Sequence, residues 1–293
     1  MKKIAFLLIF ILLIIMASGC HSADADVQIV ATTLPVYEFS ARLCEGTELS
    51  VSRLITENVS CLHDYTLQVS QMQMVESADA VIISGAGLEA FIEDVLGNSQ
   101  EFIDASAGTH IHAEGHTHDE HSHDEYSHDG DPHIWLAPEN AKIMAQNICS
   151  GLSALYPQYQ SVFEDNLSTL LSDLDQLQAY GEETLSDLSC REIITFHDGF
   201  GYFAEAFDLT ILEAVEEESG SEASASELIE LIKTVSVHSL PAIFTETNGS
   251  TSAAEIICAE TGVNIYTLDM VMAGDSYFQA MYHNINTIKE ALE

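Results

Sequence analysis

The sequence predicts an α/β protein with two lobes, each holding a mostly parallel sheet flanked by helices and joined by one long rigid helix. Three observations lead to this fold class. Short apolar runs rich in β-branched residues alternate with segments of helical periodicity, the order expected of βαβ units. The same alternation restarts in the second half of the chain. Between the halves lies a long amphipathic segment without proline.

The first lobe is expected over residues 21–157. Its strands are predicted at residues 27–33, 48–55, 79–85 and 101–106, where apolar and β-branched residues cluster. Its helices are predicted at residues 36–44, 69–78, 88–98 and 139–156. The last of these begins directly after Pro138, a residue suited to the first turn of a helix.

The linking helix is expected over residues 158–188. Its apolar residues recur at helical spacing and include Phe163, Leu167, Leu170, Leu174 and Leu177. At 1.5 Å per residue such a helix is roughly 40 Å long, which suits a strut between two lobes. The second lobe follows over residues 189–293, with strands predicted at 191–197, 209–215, 241–247 and 263–269 and helices at 200–207, 227–238, 252–261 and 276–293.

The first 20 residues have the pattern of an export signal. Lys2 and Lys3 precede an unbroken apolar run from Ile4 to Met16, which is short for a membrane-spanning helix. Cys20 then follows three small residues, as in the lipobox of bacterial lipoproteins. We therefore expect an exported protein tethered by a lipid on Cys20 to the outer face of the cytoplasmic membrane, with no other membrane contact.

The composition excludes some partners. The formal net charge is −39, and phosphate contacts need clusters of Lys and Arg, so we expect no nucleic-acid partner. Small cations are the ligands that the negative electrostatic potential of such a protein favours.

Five further cysteines follow Cys20, of which Cys44 and Cys61 are the pair that we predict as a disulfide, although connectivity cannot be read from sequence.

A histidine-rich loop is predicted over residues 108–132. Eight of the 13 histidines lie between His110 and His133, interleaved with Asp and Glu. A tract this polar cannot bury a core, and its imidazoles and carboxylates are typical of weak metal capture. Seven histidines are assigned to this metal-gathering loop: His110, His112, His116, His118, His121, His123 and His128. His133 differs, because Ile134, Trp135 and Leu136 follow it and must be packed.

A second set of residues predicts an ordered metal site. His63 lies in the loop after the second strand and His197 at the end of the fifth, where α/β sheets place their ligands. Asp269 ends the last strand, and His133 precedes a helix. Three imidazoles and one carboxylate form a sensible tetrahedral zinc shell. Glu246, which ends another strand, is a candidate neighbour of the metal.

The motifs around these residues resemble those of a known family. HDY at His63, DPHIWLAP at His133, FHDGFGYFAEAF at His197 and TLDMVMAGDSYFQAMYHN at Asp269 are similar to the landmarks of the zinc/manganese solute-binding proteins of bacterial ABC importers. The resemblance implies metal bound in a cleft between the lobes by these four residues, and delivery to an ABC permease subunit by a monomer that is not an enzyme. A histidine-rich insertion is characteristic of its zinc-selective members.

Several alternatives stay open at this point. Asp275 or a bound water competes with Asp269 as the fourth ligand. Manganese members of the family often carry Glu at the third position, where this chain has His197, so the nitrogen-rich set favours Zn²⁺ over Mn²⁺. A secreted zinc hydrolase is the alternative from another class. It would need an open coordination position and a general base, and the sequence has no H-E-x-x-H motif.

Overall fold

The fold consists of two four-stranded parallel sheets with helices around them. The computed structural model describes residues 29–57, 59, 62, 65–92, 101–112, 130–215, 223–247 and 249–293. The strand order is β2-β1-β3-β4 in the first sheet and β6-β5-β7-β8 in the second. All neighbouring strands are parallel, which confirms the predicted fold class.

The first lobe holds the elements up to the long helix. Its strands are β1 (Ile29–Ala31), β2 (Val51–Arg53), β3 (Ala80–Ile83) and β4 (Glu101–Asp104). Its helices are α1 (Leu34–Leu43), α2 (Val69–Ser77) and α3 (Pro138–Leu155). The central strands β1 and β3 are buried along their whole length, as their continuous apolar sequences predict.

The second lobe repeats this arrangement. Its strands are β5 (Glu192–Thr195), β6 (Thr210–Ala214), β7 (Ala242–Glu246) and β8 (Asn264–Leu268). Its helices are α5 (Gly201–Ala206), α6 (Ala225–His238), α7 (Ser252–Thr261) and α8 (Tyr277–Leu292). Helix α6 begins with a capping box, in which Ser224 accepts from the backbone of Glu227 while the Glu227 side chain accepts from the backbone of Ser224.

The linking helix α4 spans Gln160–Thr184 and is shorter than the predicted range 158–188. At its start, Pro157–Tyr159 forms a separate 3-10 turn. At its end, the guanidinium of Arg191 donates to the carbonyls of Leu185 (2.7 Å) and Ser186 (3.0 Å), which caps the chain beyond the last helical turn. The helix packs against α1, α3 and α8.

The C-terminal helix α8 connects the second lobe back to the first. It packs on β8, α4 and α1. At its start the backbone N–H of Tyr277 donates to Glu38 on α1, and burial raises the pKa of that carboxyl above its usual range. Along the described ranges, no helix is both long enough and apolar enough to cross a bilayer.

The carboxylate of Glu89 is buried at the carboxyl ends of β1 and β3. Its oxygens accept hydrogen bonds from the Thr32 hydroxyl (2.6 Å) and from the backbone N–H groups of Ser84 (2.8 Å) and Gly85 (3.0 Å). Burial nevertheless outweighs these bonds and raises the pKa of Glu89 to about 7. In the unfolded chain the pKa would return to about 4.5.

We expect Glu89 to make the protein less stable as pH rises from about 4.5 to about 7. Over that window the folded state keeps a proton that the unfolded state has lost, so unfolding releases a proton and raising the pH favours it. The contribution is on the order of 3 kcal/mol, because one pKa unit is worth about 1.4 kcal/mol.

Urea unfolding of metal-free protein across this range tests the expectation. The Glu89→Gln variant should lose this part of the pH dependence, whereas Glu260→Gln, which changes an exposed carboxylate, should keep it. An unchanged pH slope in Glu89→Gln would contradict the assignment.

Candidate metal-binding site

Two histidines from distant parts of the chain meet in the interior. The Nε2 atoms of His133 and His197 lie 3.3 Å apart, and each residue is only 1% exposed. Their rings are nearly perpendicular, at 87°. Two imidazole nitrogens bound to one tetrahedral zinc ion, each at about 2.05 Å, are themselves about 3.3 Å apart. The pair is therefore spaced as two ligands of a single ion.

His133 is held in one orientation by Asp131. It directly precedes a 3-10 turn, Ile134–Leu136, whose side chains are all buried. The Asp131 carboxylate accepts from the backbone N–H of His133 (2.9 Å) and lies 2.7 Å from Nδ1 of its ring. An Nδ1–H donated to this carboxylate leaves the lone pair of Nε2 for a metal, as ligating histidines require.

His197 follows β5 at the carboxyl end of the second sheet. Its Nδ1 lies 3.6 Å from a carboxylate oxygen of Glu246, which ends the adjacent strand β7. Glu246 is itself buried, at 4% exposed, and its role as a neighbour of the metal stays a prediction. A Cβ atom at Gly199 would meet His197 at 2.7 Å and His133 at 2.8 Å. Only glycine allows the backbone to pass this close to both rings.

Asp269 follows β8 at the same end of the sheet and is held mainly by its backbone. Asn284, a buried residue of α8, accepts from its N–H (2.8 Å) and donates to its carbonyl (2.7 Å). The carboxylate oxygen Oδ1 accepts from the N–H of Val271 (2.6 Å). Val271 has φ of 61°, a costly conformation for a β-branched residue, so this bond stabilises the turn.

The assignment of Asp269 as a ligand stays a prediction. The residue borders a cavity of about 50 Å³ with Thr247 and Met270, but the carboxylate does not form a three-residue cluster with His133 and His197 in the described ranges. Asp275 is exposed. His63 lies outside the described residues, as do Cys20 and Cys61. The predicted disulfide between Cys44 and Cys61 is wrong, because Cys44 is a free thiol buried at the end of α1, where burial raises its pKa.

A second cluster of metal-ligand side chains lies at the base of the histidine-rich loop. His110, His112 and Glu205 each place a ligand atom within 4.8 Å of the others, the sole such group of three among the described residues. Glu205 was not predicted from sequence, because nothing in the spacing of α5 distinguishes it from other helical acids. The remaining histidines of the loop lie outside the described residues: His116, His118, His121, His123 and His128.

Comparison with known protein families gives one match over nearly the whole chain. The family described as ZnuA, zinc-uptake complex component A, periplasmic, matches residues 29–291. The zinc-binding protein AdcA of Streptococcus pyogenes is 27% identical over 91% of this chain and 56% of its own length. The zinc-binding lipoprotein AdcA of Streptococcus pneumoniae is 27% identical over 100% of this chain and 62% of its own. The chain thus spans just over half the length of these relatives.

Other relatives match along most of both chains. A putative metal-binding protein of Treponema pallidum is 28% identical over 89% of this chain and 86% of its own. A crystal structure of ZnuA superposes with a TM-score of 0.80 at 29% identity and covers 92% of this chain and 100% of that one. The Zn(II)-bound ZnuA-like domain of Streptococcus pneumoniae AdcA superposes with a TM-score of 0.74 at 25% identity, over 92% and 99% of the two chains.

Proposed function

Since the chain belongs to the family of zinc-uptake complex component A, a family of solute-binding proteins and not of enzymes, we propose that it captures Zn²⁺ between its lobes and delivers it to an ABC permease. One observation carries this proposal. Two buried imidazoles, one from each lobe, have Nε2 atoms that lie 3.3 Å apart, the spacing of two ligands on one ion. In this proposal the ion is the transported substrate. The site binds the ion and later releases it, and no reaction is catalysed there.

The proposed ligand set is His63, His133, His197 and Asp269. His133 and His197 supply Nε2 ligands, and the Nδ1 atoms on the other side of the two rings lie 2.7 Å from the Asp131 carboxylate and 3.6 Å from the Glu246 carboxylate. Such outer partners raise the basicity of an imidazole and fix its tautomer. His63 would enter from the loop that follows β2, and the free oxygen of Asp269, or a water in its place, would complete a tetrahedral shell.

The proposal also includes the location of the protein outside the cytoplasmic membrane. Export through the signal at residues 1–20 and a lipid on Cys20 would hold a monomer at the outer face of the membrane, beside a permease subunit. The relative AdcA of Streptococcus pneumoniae is a zinc-binding lipoprotein, which supports the lipid anchor. The loop histidines would gather zinc weakly near the cleft.

Competition between Zn²⁺ and Mn²⁺ tests the choice of ion. We expect zinc to displace manganese even when manganese is in large excess, because nitrogen ligands rank Mn²⁺ lowest among the divalent first-row metals. Titration calorimetry of the metal-free protein with each ion, alone and in competition, measures this. A variant with both His133 and His197 changed to Ala is the control and should lose the preference. Equal or tighter binding of manganese would overturn the assignment to zinc.

A further inference from the structure

We propose that Tyr202 on helix α5 is a positioning residue for the metal ligand His133 and acts through the backbone of Asp131. This role rests on the proposed function, since it adds one residue to the support of the same cleft. The Tyr202 hydroxyl donates a hydrogen bond to the Asp131 carbonyl (2.7 Å) and accepts one from the backbone N–H of His112 (2.9 Å). Tyr202 does not bind the ion itself. It fixes the residue that orients a ligand.

Asp131 is hydrogen-bonded through both of its backbone polar groups. Its N–H donates to the His112 carbonyl (3.2 Å), and its carbonyl accepts from the Tyr202 hydroxyl. Its carboxylate then accepts from the backbone N–H of His133 and lies 2.7 Å from Nδ1 of that ring. A carboxylate holds an imidazole in one orientation only while its own residue is held in place. The orientation of His133 therefore depends on the bond between Tyr202 and Asp131.

The Tyr202 side chain is itself firmly held. It is buried, and its ring stacks on the ring of His112 with 4.1 Å between the two centroids. Burial raises the pKa of the Tyr202 hydroxyl to about 12, because the charged phenolate is poorly solvated there. At neutral pH the hydroxyl thus keeps the proton that it donates to the Asp131 carbonyl.

The hydroxyl of Tyr202 also connects the two lobes beside the metal site. Tyr202 belongs to the helix that follows His197, the ligand from the second lobe, whereas Asp131 and His133 precede helix α3 of the first. A Cβ atom at Gly201 would lie 3.5 Å from the Asp131 carboxylate, so the start of α5 lies directly against this segment. The bond from Tyr202 to Asp131 therefore helps to set the position of His133 relative to His197.

A cycle of single and double variants of the full chain tests this role, with Zn²⁺ affinity measured by competition with a chelator. Tyr202→Phe removes the hydroxyl and keeps the stacked ring. We expect it to weaken tight zinc binding about 10-fold, the lower end of the range for a lost outer partner. Asp131→Ala should weaken binding by about 10- to 100-fold. Adding Tyr202→Phe to Asp131→Ala should cost less than about twofold more, because both changes remove the same support of His133.

Tyr180→Phe is the matched control, because it also removes one hydrogen-bonded tyrosine hydroxyl. The Tyr180 hydroxyl donates to the Asn286 side chain (2.7 Å) on the exposed surface between α4 and α8. This variant should keep its zinc affinity within about twofold of wild type. Thermal unfolding without metal verifies that each variant is folded.

Two results would overturn the role of Tyr202. One is zinc affinity in Tyr202→Phe that equals the affinity of Tyr180→Phe. The other is the same loss from Tyr202→Phe with and without the Asp131 side chain, the result expected of a residue that only stabilises the fold. A wild type that lacks tight zinc binding would refute the proposed function itself, together with the role that depends on it.

Discussion

Replacing His197 by Ala should weaken tight zinc binding by more than about 100-fold, since the loss of a direct ligand exceeds the roughly 10- to 100-fold cost of losing an outer partner. The His197 side chain is only 1% exposed, so bulk water cannot replace it as a ligand unless the surrounding residues move. The neighbouring His133 would then face the gap alone. A titration in which a chelator competes for zinc reports the tight site and leaves weakly bound ions undetected.

His238→Ala is the matched control for this prediction. His238 ends α6, and its ring contacts the Glu192 carboxylate at 2.9 Å on a partly exposed surface, away from the cleft. Its removal should leave the zinc affinity within about twofold of wild type, as expected of a surface change. Zinc affinity in His197→Ala that equals the affinity of His238→Ala would refute the role of His197. Affinity in the wild type should also fall at acid pH, because an imidazole must be deprotonated to bind metal.

The sheets could be predicted from the sequence because their signal is local and strong. Every predicted strand contains one of the eight strands found among the described residues. Strands buried on both faces read as continuous apolar runs, such as Ala80–Ile83, and need little tertiary information to identify. The long helix was found for a similar reason, since leucines at helical spacing, including Leu170, Leu174 and Leu177, become its buried face.

Local patterns were less reliable for the short helices. Residues 88–98 read as a helix, but the described part of this segment forms a 3-10 turn at Ala90–Ile92. The first helix was placed after Pro35, whereas it begins at Leu34 with the proline in its first turn, where the missing N–H has no cost. Element boundaries depend on which backbone groups find tertiary partners, and sequence periodicity does not contain that information.

The metal site shows the same difference between what local sequence predicts and what depends on tertiary contacts. His133 and His197 could be predicted as ligands because one precedes a packed turn and the other ends a parallel strand, and both positions are set by local sequence. Glu205 was missed because its importance comes from a contact with residues some 90 positions earlier in the chain. Asp131 was missed although it is only two residues from His133, because periodicity does not show that the loop backbone turns its carboxylate back onto the His133 ring. Glu246 could be named as a neighbour, since it also ends a strand.

Trp135 connects the site to the stability of both lobes. This single tryptophan of the chain is fully buried, two residues after His133. Its indole N–H donates to the carbonyl of Met270 (2.9 Å), beyond the last strand of the second lobe. Its own carbonyl accepts from the hydroxyl of Tyr277 (2.9 Å) at the start of α8. One residue of the first lobe is thereby bonded to two segments of the second.

Changing Trp135 to Ala should lower the free energy of unfolding by about 4 kcal/mol, in the range typical of large aromatic side chains removed from a core. Trp135→Phe should cost less, because it keeps most of the buried apolar surface but leaves the Met270 carbonyl without its donor, a loss of about 1–3 kcal/mol. Urea unfolding followed by circular dichroism measures both, since fluorescence is lost with the tryptophan. Phe102→Ala, which removes an aromatic ring that is 46% exposed on β4, is the matched control and should cost about 1 kcal/mol. Equal losses of unfolding free energy in Trp135→Ala and Phe102→Ala would mean that the indole does not stabilise the contact between the lobes.

If the indole does stabilise that contact, Trp135→Phe should also weaken zinc binding, because the segment carrying Met270 and Asp269 is then less firmly fixed to the turn that carries His133.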